Sequence, residues 1–102
     1  MQGKFGVHAL VFGDAWNETT ARATCRAAAE IGYDLVEVLM FDPWTLDLAA
    51  TRKGLADSGL GLRLGMALGP ETDISSDDPA IAARGVAAVG RALEIAADLG
   101  AP

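Results

Sequence analysis

Glu37 and His8 are the residues of this chain best placed to do chemistry. Glu37 stands in the run Asp34-Leu35-Val36-Glu37-Val38-Leu39-Met40, near the carboxyl end of an apolar strand, where parallel α/β proteins build their sites. A carboxylate there orients a ligand or pairs with a cation, and the plainer alternative is an ion pair with Arg63. His8 is the only histidine, and Cys25 the only cysteine. One imidazole does not make a zinc site. His8 therefore either lines a pocket and hydrogen-bonds a hydroxyl, or is a satisfied histidine on an inner face.

Phe12 and Trp16 flank the loop after the first strand. An aromatic ring at that place walls a pocket for the apolar face of a sugar, or packs as any loop residue does. Trp44 reads as packing at the start of a helix. Glu71, Asp73, Asp77 and Asp78 have the composition of a hard-cation cluster but not the spacing of an EF-hand. Helix capping explains the last two better, because a helix N-terminus favours negative charge. Gly59-Leu60-Gly61 precedes a strand, whereas a dinucleotide fingerprint follows one. Cys25 falls mid-helix and reads as a buried, inert thiol.

The elements that must position these residues follow a strand–helix rhythm. The first strand is expected over Lys4–Phe12. A helix capped by Asn17 follows, with Ala21, Cys25, Ala28 and Ile31 on its buried face. The second strand runs Asp34–Met40. Asp42-Pro43 or Thr45 opens the second helix, which turns Leu48, Thr51 and Leu55 inward and ends at Ser58-Gly59. The third strand is expected over Leu62–Leu68. The third helix starts near Ser76–Pro79, with a stripe of Ala82, Val86, Val89, Leu93 and Ala96. Apolar strands alternating with amphipathic helices define βαβ units and a parallel sheet.

The parity of the strands is informative. Phe5, Val7 and Ala9, then Val36, Val38 and Met40, then Leu62, Leu64, Met66 and Leu68 suit the side facing the helices. The other parity holds Lys4, Gly6, His8 and Leu10, then Leu35, Glu37 and Leu39, then Arg63, Gly65 and Ala67. A flat doubly wound sheet is apolar on both faces. Charged and very small residues on one face instead suggest a barrel with a polar cavity. Three units leave two open parallel edges, so residues 1–102 are expected to be the N-terminal (βα)3 portion of a single, larger TIM-barrel domain. Self-association through those edges is the competing, non-catalytic expectation.

Bulk properties narrow the function. The 102 residues carry a net charge of −6 and a pI near 4.5. These argue against a nucleic-acid or anionic-membrane partner, both of which need a basic face. A single cysteine fits a reducing compartment, and the expected location is cytoplasmic. No apolar run is long enough to span a bilayer.

Together, Lys4-Phe5-Gly6-Val7-His8, Trp16, Ile31-Gly32-Tyr33-Asp34-Leu35-Val36-Glu37-Val38, Gly59-Leu60-Gly61, Asp73–Asp78, Ala83-Arg84-Gly85 and Leu99–Pro102 resemble the start of the D-tagatose/D-psicose 3-epimerase family, in its L-ribulose 3-epimerase-like branch. The resemblance implies a (β/α)8 barrel that epimerises ketoses at carbon 3 through an enediolate, using two glutamates and a divalent metal, manganese or cobalt. The metal ligands and catalytic glutamates belong to later strands, so neither is expected on this chain. What carries over is a substrate pocket: His8 where the family often has an aromatic, Trp16, the small residue Ala67, and Glu37 on the inner face. A small ketose and a homo-oligomeric partner are implied. Other barrels of this type, hydroxypyruvate isomerases or inosose-processing enzymes, share the Gly-aromatic-Asp-x-x-Glu segment and remain alternatives.

Overall fold

The computed structural model describes residues 3–102. Three strands, β1 (Gly6–His8), β2 (Leu35–Met40) and β3 (Gly61–Met66), alternate with three α-helices, α1 (Glu18–Ile31), α2 (Leu48–Ser58) and α3 (Pro79–Leu99). The strands pair in parallel, in the order β1-β2-β3. This is the expected (βα)3 arrangement.

Local chemistry sets the element boundaries. The Asn17 side chain accepts from the Thr19 and Thr20 N–H groups, and the Thr20 hydroxyl accepts from Asn17 N–H, closing a capping box on α1. Asp78 caps α3 by accepting from Ala80 N–H, with Pro79 at its first position. All three helices stop at a glycine with positive φ: Gly32, Gly59 and Gly100.

Three expected boundaries differ, one of them the end of β3, which falls at Met66 rather than Leu68. β1 is shorter than Lys4–Phe12, because the chain leaves the sheet after His8 and coils into a 3-10 turn over Ala9–Val11. The Leu10 N–H donates to His8 Nδ1 and the Phe12 N–H to the Ala9 carbonyl, which draws both groups away from any ladder. α2 does not open at Asp42-Pro43 or Thr45. Asp42 instead closes a turn, accepting from Trp44 N–H, and the helix cap is Asp47. Trp44 lies exposed in that turn rather than packing the helix start.

The helices share one face of the sheet. Val36, Val38 and Met40 are buried beneath them. Val36 and Val38 meet Cys25 and Ala28 of α1 and Leu55 of α2, while Met40 meets Ala92 and Ile95 of α3. A neighbour-by-neighbour strand order with helices on one side is the winding of a closing barrel, not of a doubly wound sheet. Within the helix-facing parity, Phe5 and Leu68 break the expectation: both are exposed, since each lies outside its strand's paired residues. Ile31 is also exposed, at the last turn of α1.

The largest correction concerns α3. The buried residues are Gly85, Ala88, Ala92 and Ile95. Of the expected stripe, Val86, Val89 and Leu93 stand exposed. α3 is apolar round most of its circumference, so two stripes of helical spacing coexist in its sequence. The sheet and its loop take the stripe of smaller residues, because small side chains allow the closest approach. At Gly85 a Cβ would stand 2.2 Å from the Thr72 carbonyl oxygen of the β3–α3 loop.

Candidate functional site

The face of the sheet away from the helices carries the polar residues. Parallel register sets His8 beside Glu37 and Glu37 beside Arg63. His8 Nε2 lies 3.5 Å from Glu37 Oε1, with both side chains partly open to solvent. The acidic partner is thus paired with His8; Arg63 makes no ion pair among the described residues. The expected Glu37–Arg63 bridge is corrected accordingly, for β1 presents an imidazole on the other flank of the carboxylate.

The imidazole is oriented from behind. Its Nδ1 accepts the Leu10 N–H at 3.1 Å, so the neutral ring carries its proton on Nε2, aimed at Glu37. A separation of 3.5 Å is longer than a good N–H···O bond. The carboxylate keeps lone pairs free for a ligand hydroxyl, and Nε2–H is free to donate to one. Gly65 leaves this niche open: a Cβ there would be 3.5 Å from Glu37 Oε1 and 3.4 Å from Leu39 Cδ1. Gly6 does the same for Leu35, whose Cδ1 occupies the place of a Cβ. Glycines on β1 and β3 therefore flank the larger side chains of β2, the large–small layering of a barrel interior.

Beside this face, at the carboxyl ends of β1 and β2, lies a cleft of about 180 Å³ lined by Ala9, Trp16, Leu39, Phe41, Asp42 and Leu46 among others. Trp16 is fixed there by its indole N–H, which donates to Thr51 Oγ1 at 2.9 Å, and by packing against the core. The structure thus brings His8 and Glu37 together and sets Trp16 in the adjoining cleft. Ala67 stands next to Met40, a lining residue of the cleft. It follows β3, with its N–H donating to the Met40 carbonyl at 3.1 Å, and it does not line the cleft. Asp42 and Leu46 are lining residues that sequence reasoning missed; the Asp-Pro turn was visible but was read as a helix start.

The remaining candidates resolve into structural roles. Asp78 caps α3. Asp73 accepts from the Ser75 hydroxyl and N–H, which together hold its carboxyl below the usual carboxylate range. Burial pushes the Cys25 thiol above its ordinary range, against a smaller opposing effect of Ser58, as expected of an inert thiol. No group of three or more His, Cys, Asp or Glu side chains among the described residues is arranged to hold a metal ion. His8 and Glu37 are two donors without a third among the described residues. No described helix is long and apolar enough to cross a membrane.

A singly wound parallel sheet, with helices on one face and a polar pair on the other, defines a portion of a barrel-type α/β fold. Comparison with known proteins is specific about which. No family model matches the chain. It is 36% identical over 97 residues to the L-ribulose 3-epimerase of Methylomonas sp. (strain DH-1), covering 95% of this chain and 34% of that protein. It is 35% identical over 98 residues to the ketose 3-epimerase of Arthrobacter globiformis, covering 96% and 34%. The crystal structure of a Methylomonas sp. D-allulose 3-epimerase in complex with D-allulose superposes with a TM-score of 0.90 at 36% identity, over 95% of this chain and 34% of that one. The chain is thus homologous, over nearly all of its length, to the N-terminal third of TIM-barrel ketose 3-epimerases, and it spans about a third of the length of the curated relatives it matches.

Proposed function

We propose that this chain contributes the first three βα units of a (β/α)8 ketose 3-epimerase, and that its open sheet face is one wall of the sugar cavity. The similarity at 34–36% identity along nearly the whole chain carries this reading. The polar pair on the uncovered face supports it, since a barrel turns that face inward and its layer at the carboxyl ends of the strands meets the substrate. Within the reading, Nε2–H of His8 donates to a hydroxyl of the ketose and the Glu37 carboxylate accepts from one. Trp16 lays an apolar wall against the carbon skeleton. Ala67 leaves space at the rim above β3. These residues bind and orient the sugar end away from the reacting carbon. Proton exchange at carbon 3, and the manganese or cobalt that would polarise the neighbouring carbonyl, are assigned to residues outside this chain. The work of such a sugar isomerase lies in carbohydrate metabolism, and the proposed compartment is the cytoplasm.

The test is a graft in which residues 1–102 replace the matching third of the Methylomonas L-ribulose 3-epimerase. The graft is expected to interconvert ketoses at carbon 3. Glu37→Gln and His8→Ala in the graft are expected to raise KM by about tenfold each, the loss of roughly one charge-assisted hydrogen bond, with metal content unchanged. A graft that melts cooperatively like its parent but turns over no ketose would overturn the reading.

A further inference from the structure

The loop between β1 and α1 lines the cleft at the strand ends with Gly13, Asp14, Ala15 and Trp16, yet little holds it there. Among the described residues, Asp14, Ala15 and Trp16 make no backbone hydrogen bond. Trp16 carries the only large apolar side chain of the four. The one hydrogen bond that ties residues 14–16 to the rest of the described chain is made by the Trp16 indole N–H, which donates to Thr51 Oγ1 of α2.

Thr51 is placed to receive it. The residue has no exposed surface. Its hydroxyl hydrogen is already committed, donated to the Asp47 carbonyl at 2.8 Å one turn back along α2, which leaves an oxygen lone pair for the indole. Asp47 is fixed in turn as the N-cap of α2, accepting from Ala50 N–H at 2.9 Å. Cap, hydroxyl and ring thus form one chain of hydrogen bonds from the start of α2 to the cleft, and a fully satisfied buried chain of this kind is rigid. With its only polar atom turned into the protein, the ring offers the cleft carbon alone. An indole free to rotate would bring its N–H towards the cleft and its bulk into a space of about 180 Å³.

We infer that Thr51 is a positioning residue of the sugar site: it holds the Trp16 ring as a wall without a donor, so that the cleft takes a ketose by its C–H face rather than by a hydroxyl. Thr51 acts through Trp16 and does not touch the sugar. The inference rests on the epimerase reading and adds the residue that orients the wall. α2 itself does not depend on the hydroxyl, because the Asp47 carbonyl also accepts the Thr51 N–H at 3.1 Å. Thr51→Val, close in shape, therefore leaves the indole N–H as the one orphaned group.

The test uses the graft of residues 1–102 into the Methylomonas epimerase, with 15N-labelled tryptophan and the Trp16 indole signal assigned by its loss in Trp16→Phe. Thr51→Val is expected to speed hydrogen exchange of that indole N–H by roughly tenfold or more, as the bond that shields it is gone. It is expected to raise KM for D-allulose about fivefold at unchanged kcat, since a loosened ring must be ordered on binding. Thr51→Ser keeps the hydroxyl and should restore both values. Leu62→Val thins the same core without lining the cleft, and should lower the melting temperature while leaving both values alone. An indole that exchanges no faster in Thr51→Val overturns the inference. An unchanged KM in Thr51→Val overturns it as well, and so does an equal rise in Leu62→Val, which would trace the effect to lost stability. In each of these cases the parent graft still turns over and the epimerase reading stands. A parent graft that folds without turnover fails that reading, and the inference falls with it.

Discussion

Trp16 shows how one residue serves both fold and site. Its indole N–H donates to Thr51, a residue with no exposed surface, while its ring lines the cleft at the strand ends. Trp16→Phe removes the bond and leaves Thr51 Oγ1 with its donation to the Asp47 carbonyl. The expected loss of stability is about 1 kcal/mol. Trp16→Ala adds the loss of packing, for a total of about 3–5 kcal/mol. Urea unfolding followed by circular dichroism reads both, and equal stability of Trp16→Phe and the parent chain would show that the bond is idle. Residue by residue, the sequence was a partial guide to the site. The parity of β2 placed Glu37 opposite Val36 and Val38, because alternation in a paired strand leaves no choice. It did not reveal that His8 rather than Arg63 is the partner of Glu37. That depends on the imidazole being turned by the Leu10 N–H, a contact made after β1 ends.

At the scale of elements, α3 and the loop before it are held by an absent side chain. The 2.2 Å between a Cβ at Gly85 and the Thr72 carbonyl leaves no room for a methyl group. Gly85→Ala gains up to about 1 kcal/mol of helix propensity and loses about 1–3 kcal/mol by overpacking against backbone. The net effect expected is destabilisation, with the loop over residues 69–76 losing hydrogen-exchange protection. Gly90→Ala meets nothing and should stabilise by roughly 0.5–1 kcal/mol. The same substitution, five residues apart, thus has opposite signs in thermal unfolding. If both stabilise, the loop is not seated on Gly85. The starts of α1 and α3 and the three helix C-termini were legible, because Asn17, Asp78 and the terminal glycines act through their neighbours alone, whereas the start of α2 at Asp47 was hidden by the Asp42 turn before it. The buried face of α3 was not, because a helix rich in alanine and valine offers two stripes, and tertiary approach selects the one with smaller side chains.

For the whole molecule, a parallel sheet covered on one face is a half-finished layer. The helix side is a packed core around Val36, Val38 and Met40, while the other side presents His8, Glu37, Gly65 and Leu39. In the proposed barrel, closure supplies the missing cover, and the three-dimensional match to a D-allulose 3-epimerase at a TM-score of 0.90 extends over this same portion. The alternation of strand and helix was readable from composition and period because each unit buries its own apolar face. What lies across the open face is not written in these residues, because a cavity wall is defined by strands on its far side. The most direct measurement is therefore a crystal structure of the grafted epimerase with D-allulose bound. The sugar is expected on the open face, with a hydroxyl within hydrogen-bond distance of His8 Nε2 or the Glu37 carboxylate and its carbon skeleton against Trp16. A sugar bound with no contact to His8, Glu37 or Trp16 would contradict the assignment of this face as the cavity wall.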